Sequence, residues 1–184
     1  DVFMIAELSA QTVRKALKEN RGDILVFLSG EGEIRKCEEQ LNTDYADYQL
    51  HPLYGRLPQN KQLAAILPDA NGRRKVILAT SIAETSLTIE GVKVVVDCGF
   101  GRALRFDPRS GLSRLDTIQV SKDSADQRAG RAGRLGPGKC YRMWSKATHE
   151  QLAEHRAPEI LDADLTNLAL DLAQWGVSDP WQLT

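Results

Sequence analysis

One octapeptide of this 184-residue chain combines residue types that suit phosphate chemistry. It reads Gln-Arg-Ala-Gly-Arg-Ala-Gly-Arg over residues 127–134, and we call it the arginine segment. If the segment is helical, Gln127, Arg131 and Arg134 fall on one face, because residues spaced by three and four share a side. Guanidinium groups bind phosphate oxygens bidentately and stabilise a phosphoryl group during its transfer. Each glycine costs a helix about 1 kcal/mol relative to alanine, so this composition favours a binding role over a purely stabilising one.

The elements that position this segment are predicted from alternating patterns. Short apolar runs alternate with amphipathic stretches, which predicts an α/β fold with a parallel sheet and helices on both faces. The expected strands are 24–28, 48–54, 75–79, 92–96 and 140–144. The expected helices are 31–41, 58–67, a short one from about 83, and 124–134. From residue 146 the chain is expected to be helical, with an apolar pattern over 159–175. Residues 102–106 and 112–120 flank Asp107-Pro-Arg-Ser-Gly111, whose Pro and Gly predict the turn of a β-hairpin with a basic tip.

Two polar clusters follow predicted strands. Ser29-Gly-Glu-Gly32 comes after the first strand, and a run rich in Ser and Thr, residues 80–88, comes after the third. We call residues 80–88 the hydroxyl stretch. Ligands of open parallel sheets bind outside the carboxyl ends of the strands, where hydroxyls and free N–H groups suit phosphate or sugar. Helix capping accounts for many such clusters. A binding role for the hydroxyl stretch is favoured mainly because this stretch is expected to share an edge of the sheet with the arginine segment.

Composition narrows the classes of function. The net charge is −1, but residues 102–142 carry ten Lys or Arg against four Asp, whereas the chain from residue 150 is acidic. This asymmetry favours a local anion site over a general polyanion-binding surface. No apolar run approaches the roughly 18 residues of a membrane span, so we expect a cytoplasmic protein without membrane contact. The three cysteines lack CxxC spacing and the three histidines form no ligand pattern, which predicts reduced thiols and no metal site.

A P-loop-like pattern occurs at residues 133–139 but has the wrong context. Gly133-Arg-Leu-Gly-Pro-Gly-Lys139 fits GxxxxGK, yet Cys140 follows where a Mg²⁺-binding hydroxyl is needed. The expected helix precedes the pattern and the expected strand follows it, the reverse of a P-loop. We therefore expect a half-site, in which the arginines serve a nucleotide that another lobe holds.

The motifs together resemble the second RecA-like lobe of the DEAH-box (DEAH/RHA) RNA helicases, in particular its bacterial HrpB-type members. The resemblance rests on the long string from Ala79 to Gly91 and on the arginine segment. Five shorter strings add to it: Leu25–Ile34, Leu53–Pro58, Asp107–Leu112, Pro137–Arg142 and Asp164–Asp171. The family implies a RecA-like (P-loop NTPase-type) parallel sheet with a β-hairpin insertion over residues 1–156. It further implies that residues 157–184 are the helical start of a winged-helix domain.

The resemblance also implies roles for individual residues. The catalytic residues would be Gln127, which orients water, and the arginine fingers Arg131 and Arg134; with Thr80 and Glu90 these would contact ATP. The Mg²⁺ that accompanies ATP would be held mainly by a first RecA-like lobe, which is not part of this sequence. The implied contacts to single-stranded nucleic acid, expected to be RNA, are Gly30, Glu31, Thr85, Ser86 and Arg128. The partners would be that nucleic acid and a first RecA-like lobe. The chain would thus couple NTP hydrolysis by an RNA helicase to unwinding, and would be inactive by itself.

Two departures from the family pattern and two rival interpretations remain. Ser81 replaces the usual Asn, and Leu67 stands where an aromatic residue often stacks on adenine, which favours loose base specificity. The basic segment is also compatible with a stand-alone nucleic-acid-binding module, for which salt-dependent binding would be the sign. A complete small α/β enzyme with a dinucleotide site is the other alternative, although GxGxxG is absent after the first strand.

Overall fold

A computed structural model of the chain describes residues 2–42, 48–85, 87–134, 136–177 and 179. The helices are α1 (Val2–Glu19), α2 (Glu31–Leu41), α3 (Gln59–Ile66), α4 (Ile82–Thr85), α5 (Lys122–Gly130), α6 (Lys146–Gln151) and α7 (Thr166–Gln174). The strands are β1 (Asp23–Phe27), β2 (Tyr48–Leu53), β3 (Arg74–Ala79), β4 (Val92–Asp97), β5 (Phe100–Asp107), β6 (Leu112–Gln119) and β7 (Lys139–Arg142).

Five strands form a parallel sheet in the order β2-β3-β1-β4-β7. In its centre, Leu25 of β1 aligns with Ile77 of β3 and Val95 of β4. Residues 24–27, 76–79 and 94–96 of these three strands are apolar throughout. Such uninterrupted apolar runs are expected for parallel strands that are buried on both faces. The predicted α/β fold with a parallel sheet is confirmed.

Each face of the sheet carries its own apolar core, because successive side chains of a strand point to opposite sides. Ile24 and Val26 pack with residues of α1 and α2 on one face. Leu25 and Phe27 pack on the other face with Ala65 of α3 and with α4. The two cores hold β1 and β3 rigidly, which fixes the loops that leave their carboxyl ends.

Several predicted boundaries differ from the observed ones. The 18-residue helix α1 was not predicted at all, although its small buried residues follow helical spacing: Ala6, Ala10, Val13 and Ala16. The long C-terminal helix predicted over 159–175 is wrong in extent, since a 3₁₀ turn covers Glu159–Leu161 and α7 begins only at Thr166. Asp164 interrupts it by accepting hydrogen bonds from the backbone N–H and hydroxyl of Thr166.

The chain divides into two compact units, one comprising residues 1–102 and 117–156, the other residues 103–116 and 157–184. The predicted hairpin is present as β5 and β6. At its turn, the N–H of Gly111 donates to the carbonyl of Asp107, and Gly111 has a positive φ of 66°. In the second unit the N–H of Phe106 donates to the carbonyl of Asp162. The assignment of residues 157–184 to a winged-helix domain stays a prediction.

Candidate functional site

Gly30 and Glu31 lie just beyond the carboxyl end of β1. Gly30 is the N-cap residue of α2, and it offers no side-chain acceptor to the first N–H groups of that helix. A Cβ atom at Gly30 would lie 2.8 Å from Nε of Arg102, so glycine allows this arginine to approach the start of α2. Glu31 accepts a hydrogen bond from Arg35 one turn later. Both residues lie at the predicted edge, and their contact with nucleic acid stays a prediction.

The hydroxyl stretch begins directly after β3 at the neighbouring position of the same edge. The N–H of Thr80 donates to the carbonyl of Leu53 at 3.2 Å, which ties the stretch to the end of β2. Glu90 is exposed in the turn before β4. Ser86 and the side chain of Thr85 lie outside the described residues, so the two predicted hydroxyl contacts are left as predictions.

The arginine segment is helical only in its first half. Helix α5 ends at Gly130, and the N–H of Arg131 donates to the carbonyl of Arg128, three residues back, at 3.1 Å. Gly133 bonds to Gly130 in the same way. These tighter turns change the angular spacing of the side chains, so the predicted single α-helical face over residues 127–134 is wrong. The two glycines explain the change, because they favour the α-helix least among residues other than proline.

The two predicted finger arginines reach the hydroxyl stretch. Nη1 of Arg131 donates to the carbonyl of Leu87 at 2.7 Å, and the residue is 9% exposed. Nη1 of Arg134 donates to Oγ1 of Thr88 at 2.8 Å, and this arginine is exposed. Within the described part of the chain, neither guanidinium forms an ion pair with a carboxylate. Gln127 is exposed on α5. In the described structure, therefore, neither arginine is neutralised by a direct ion pair.

A cavity of about 210 Å³ opens beside these two arginines. Its lining includes a third cation, Lys93 of β4, and the hydroxyl-stretch residue Thr88. The remaining lining residues are Ile89, Gly91, Val92, Ala132, Gly136 and Pro137. Burial and the neighbouring charge of Arg134 lower the pKa of Arg131 below its ordinary value. A cation in such surroundings is stabilised by an incoming anion, so the cavity suits a phosphate or another small anionic group.

Arg128 has a different environment from its two neighbours. It is 1% exposed, and its Nε donates to Oε1 of Glu84 at 2.7 Å while its Nη1 donates to Oδ1 of Asp97 at 2.8 Å. Its guanidinium also lies 5.0 Å from the ring centre of Phe27. Burial alone would lower the pKa of Arg128, but Asp97 and Glu84 hold it above the ordinary value. The structure therefore corrects the predicted nucleic-acid contact of Arg128, because this side chain is enclosed and neutralised within the fold.

Comparison with known proteins identifies the family. Residues 7–136 match the model of the helicase conserved C-terminal domain. The chain belongs to this helicase C-terminal domain family. It is 51% identical over 176 residues to the ATP-dependent RNA helicase HrpB of Escherichia coli, covering 95% of the chain and 22% of that protein. It is 43% identical over 169 residues to the pre-mRNA-splicing factor ATP-dependent RNA helicase DEAH10 of Arabidopsis thaliana, covering 88% of the chain and 24% of that protein.

Solved structures agree with this family assignment. The crystal structure of the Escherichia coli DEAH/RHA helicase HrpB superposes with a TM-score of 0.91 at 50% identity, over 96% of this chain and 23% of that one. The RecA-like fold and the resemblance to DEAH-box helicases are thereby confirmed. The chain spans less than a quarter of the length of these relatives.

The sequence did not reveal the buried partners of the arginine segment. Asp97 gave a signal, because a carboxylate that ends the apolar run 92–96 must find a cation or a hydrogen-bond donor. Glu84 gave none, since it sits among polar residues. No cluster of three or more His, Cys, Asp or Glu in the described residues could hold a metal ion. Burial raises the pKa of the Cys37 and Cys98 thiols to about 12, which makes them poor nucleophiles.

Two further properties of the described residues bear on the sequence predictions. None of their helices is both long and apolar enough to cross a membrane. The P-loop-like pattern at residues 133–139 lies between α5 and β7, in the order helix, loop, strand. A phosphate-binding P-loop has the opposite order, so this helicase domain contains no such loop at that position.

Proposed function

We propose that this chain is the C-terminal lobe of an ATP-dependent RNA helicase and supplies Arg131 and Arg134 to a nucleotide held by a first RecA-like lobe. The supporting observation is that two guanidiniums line one cavity and, among the residues that the structure describes, each has a neutral hydrogen-bond acceptor and no carboxylate partner. Charge that develops on a transferring phosphoryl group needs such donors. The names of the similar proteins, ATP-dependent RNA helicases, favour ATP and RNA as ligands.

The residues of this chain fit the phosphates of ATP better than they fit its metal. Arg131, Arg134 and Lys93 offer positive charge at the cavity, and Gln127 is exposed and free to orient a water molecule. A cluster of acidic ligands for Mg²⁺ is missing from the described residues. In this proposal Mg²⁺ would be held by the first lobe, whereas this chain contributes the guanidiniums, with Thr80 and Glu90 at the nucleotide. Turnover therefore requires both lobes.

The nucleic acid would lie along the carboxyl edge of the sheet. There the uncapped N–H groups at the start of α2, beside Gly30 and Glu31, and the hydroxyls of Thr85 and Ser86 would contact the backbone of a single strand. Arg102 lies next to Gly30 and pairs with the buried Glu33 at 3.7 Å, so its charge is already matched within the fold. The hydroxyl stretch leads from this edge at Thr80 to Leu87 and Thr88, which accept hydrogen bonds from the two arginines. In this proposal it therefore links the residues that bind the nucleic acid to those that contact the nucleotide.

The substitution Arg131→Ala in the full-length helicase tests the proposal. ATPase turnover should fall by about 10³–10⁵, the usual value of an arginine finger, with an unchanged unfolding midpoint. Arg73→Ala is the matched control, because Arg73 is an exposed arginine before β3 that pairs with Asp69 and does not belong to the cavity lining. Near-normal turnover in Arg131→Ala would refute the assignment. Tight, salt-dependent RNA binding by this chain alone would favour a stand-alone binding module instead.

A further inference from the structure

The arginine segment and the hydroxyl stretch are joined by three side-chain contacts that follow the same direction. Arg128 reaches Glu84, Arg131 reaches the carbonyl of Leu87, and Arg134 reaches Thr88. The two segments are more than forty residues apart in sequence, yet each guanidinium contacts a later position of the stretch than the one before it. A displacement of either segment must therefore alter the contacts of the other.

The Arg128–Glu84 contact is stronger than the contacts of Arg131 and Arg134, which can exchange more readily for another acceptor. Both Nε and Nη2 of Arg128 contact Oε1 of Glu84, at 2.7 and 2.6 Å, and the Glu84 side chain is only 14% exposed. Asp97 fixes the other side of the same guanidinium. Arg131 and Arg134 each donate one bond to an uncharged oxygen. Hydrogen bonds between two charged groups are roughly twice as strong as neutral ones, so the Glu84 contact is the last to break.

We propose that Glu84 is a positioning residue that couples nucleic-acid binding to placement of Arg131 and Arg134. Glu84 lies on α4 between Thr80 and the predicted backbone contacts, and Arg128 lies one turn before the first finger. When single-stranded nucleic acid binds the hydroxyl stretch and displaces it, the Glu84–Arg128 contact transmits that displacement to α5. Arg131 and Arg134 then exchange Leu87 and Thr88 for phosphate. This inference rests on the proposed function.

Loss of the Glu84 charge should uncouple the two segments without unfolding the lobe. Asp97, the carbonyl of Phe100 and the ring of Phe27 continue to hold the Arg128 guanidinium when Glu84 becomes neutral. The residues that contact RNA and those that contact nucleotide are unchanged. The expected defect is therefore in stimulation of ATPase by RNA, a quantity that a general loss of folded protein does not alter.

The test uses Glu84→Gln in the full-length helicase, with a single-stranded uridine homopolymer as the RNA. The ratio of RNA-stimulated to basal ATPase should fall by about tenfold, as expected for loss of a charged hydrogen bond. The RNA concentration for half-maximal stimulation should change by less than about twofold, since no RNA contact is removed. Glu154→Gln is the matched control, because it removes a carboxylate paired with Lys122 of the same helix α5 but 71% exposed.

Each outcome decides the inference. An unchanged ratio in Glu84→Gln, or no RNA stimulation in the unaltered protein, would overturn it. Equal loss of basal and stimulated activity with a lower unfolding midpoint would show a merely structural role and also overturn it. If Glu84→Gln does not fold, Glu84→Asp keeps the charge but shortens its reach, and an intermediate ratio is expected. Loss of ATPase in Arg131→Ala with a normal ratio in Glu84→Gln would reject this inference and retain the proposed function.

Discussion

Removal of the Arg128 guanidinium is expected to destabilise the chain strongly, and the size of the effect follows from its surroundings. The substitution Arg128→Met keeps much of the apolar volume beside Phe27 but removes the cation that faces Asp97. Asp97 is completely buried, and its Oδ2 has no hydrogen-bond partner in the described structure. Breaking a buried ion pair from one side costs about 3–5 kcal/mol. This is a large share of the roughly 5–15 kcal/mol that stabilises a domain.

The assay is urea unfolding of the chain followed by circular dichroism. With a slope of about 2 kcal/mol per molar, the expected loss lowers the midpoint by roughly 2 M urea. Arg142→Met is the matched control, because Arg142 pairs with Asp126, whose side chain is 72% exposed. Surface ion pairs of that kind contribute about 0–1 kcal/mol, so the control should unfold near the original midpoint.

The pH dependence gives a second check with a definite sign. Burial raises the pKa of Asp97 above its ordinary value, and Arg128 opposes this increase. A carboxyl whose pKa is raised in the folded state contributes stability at low pH and loses it as the pH rises through that pKa. Without Arg128 the pKa of Asp97 rises further. The deficit of Arg128→Met should therefore be larger at about pH 8 than at about pH 5.

A rescue experiment identifies the cause. Asp97→Asn combined with Arg128→Met leaves no buried charge at the end of β4, and it should recover at least about 1–2 kcal/mol of the loss. A deficit that is below about 1 kcal/mol, independent of pH and unaffected by the second substitution would refute the claim that Arg128 neutralises a buried carboxylate.

Three other predictions concern the isolated chain, the hairpin and one glycine. The purified chain should show no ATPase above background with ATP and Mg²⁺, because the nucleotide needs a second lobe; clear turnover would contradict the half-site. Replacing the hairpin tip, residues 107–111, by Asn-Gly should reduce duplex unwinding by the full-length helicase more than its ATPase, and equal losses would exclude a specific role in strand separation. Gly138→Ala should cost about 1–3 kcal/mol in urea unfolding, because its Cβ would lie 2.1 Å from the carbonyl oxygen of Ala132. Gly32→Ala is the control, because a Cβ atom at Gly32 would meet no other residue's atom within 4 Å apart from its chain neighbours and the backbone of its own helix.

Much of the fold could be predicted because it depends on local patterns. The run from Ile24 to Leu28 is apolar throughout, and such a run predicts a strand that is covered on both faces. The turn at Asp107–Gly111 follows from the conformations that Pro and Gly allow. The helix α1 escaped prediction because its buried stripe consists of alanines and one valine, which give a weak apolar signal. The position at which α5 ends was not predicted either, because the α-helix and tighter turns differ little in energy at Gly130.

The sequence by itself determined which chemistry is available, namely guanidiniums, hydroxyls and small residues at the spacing of the arginine segment. The sequence could not show which of the three arginines in this octapeptide would be buried and paired with carboxylates. Tertiary structure decided that Arg128 lies between Glu84 and Asp97, whereas Arg131 and Arg134 donate to neutral oxygens and form no ion pair with a carboxylate of the described residues. The reason is physical: a local pattern fixes residue type and approximate direction, but burial and pairing of a charge depend on carboxylates that other elements bring from more than thirty residues away.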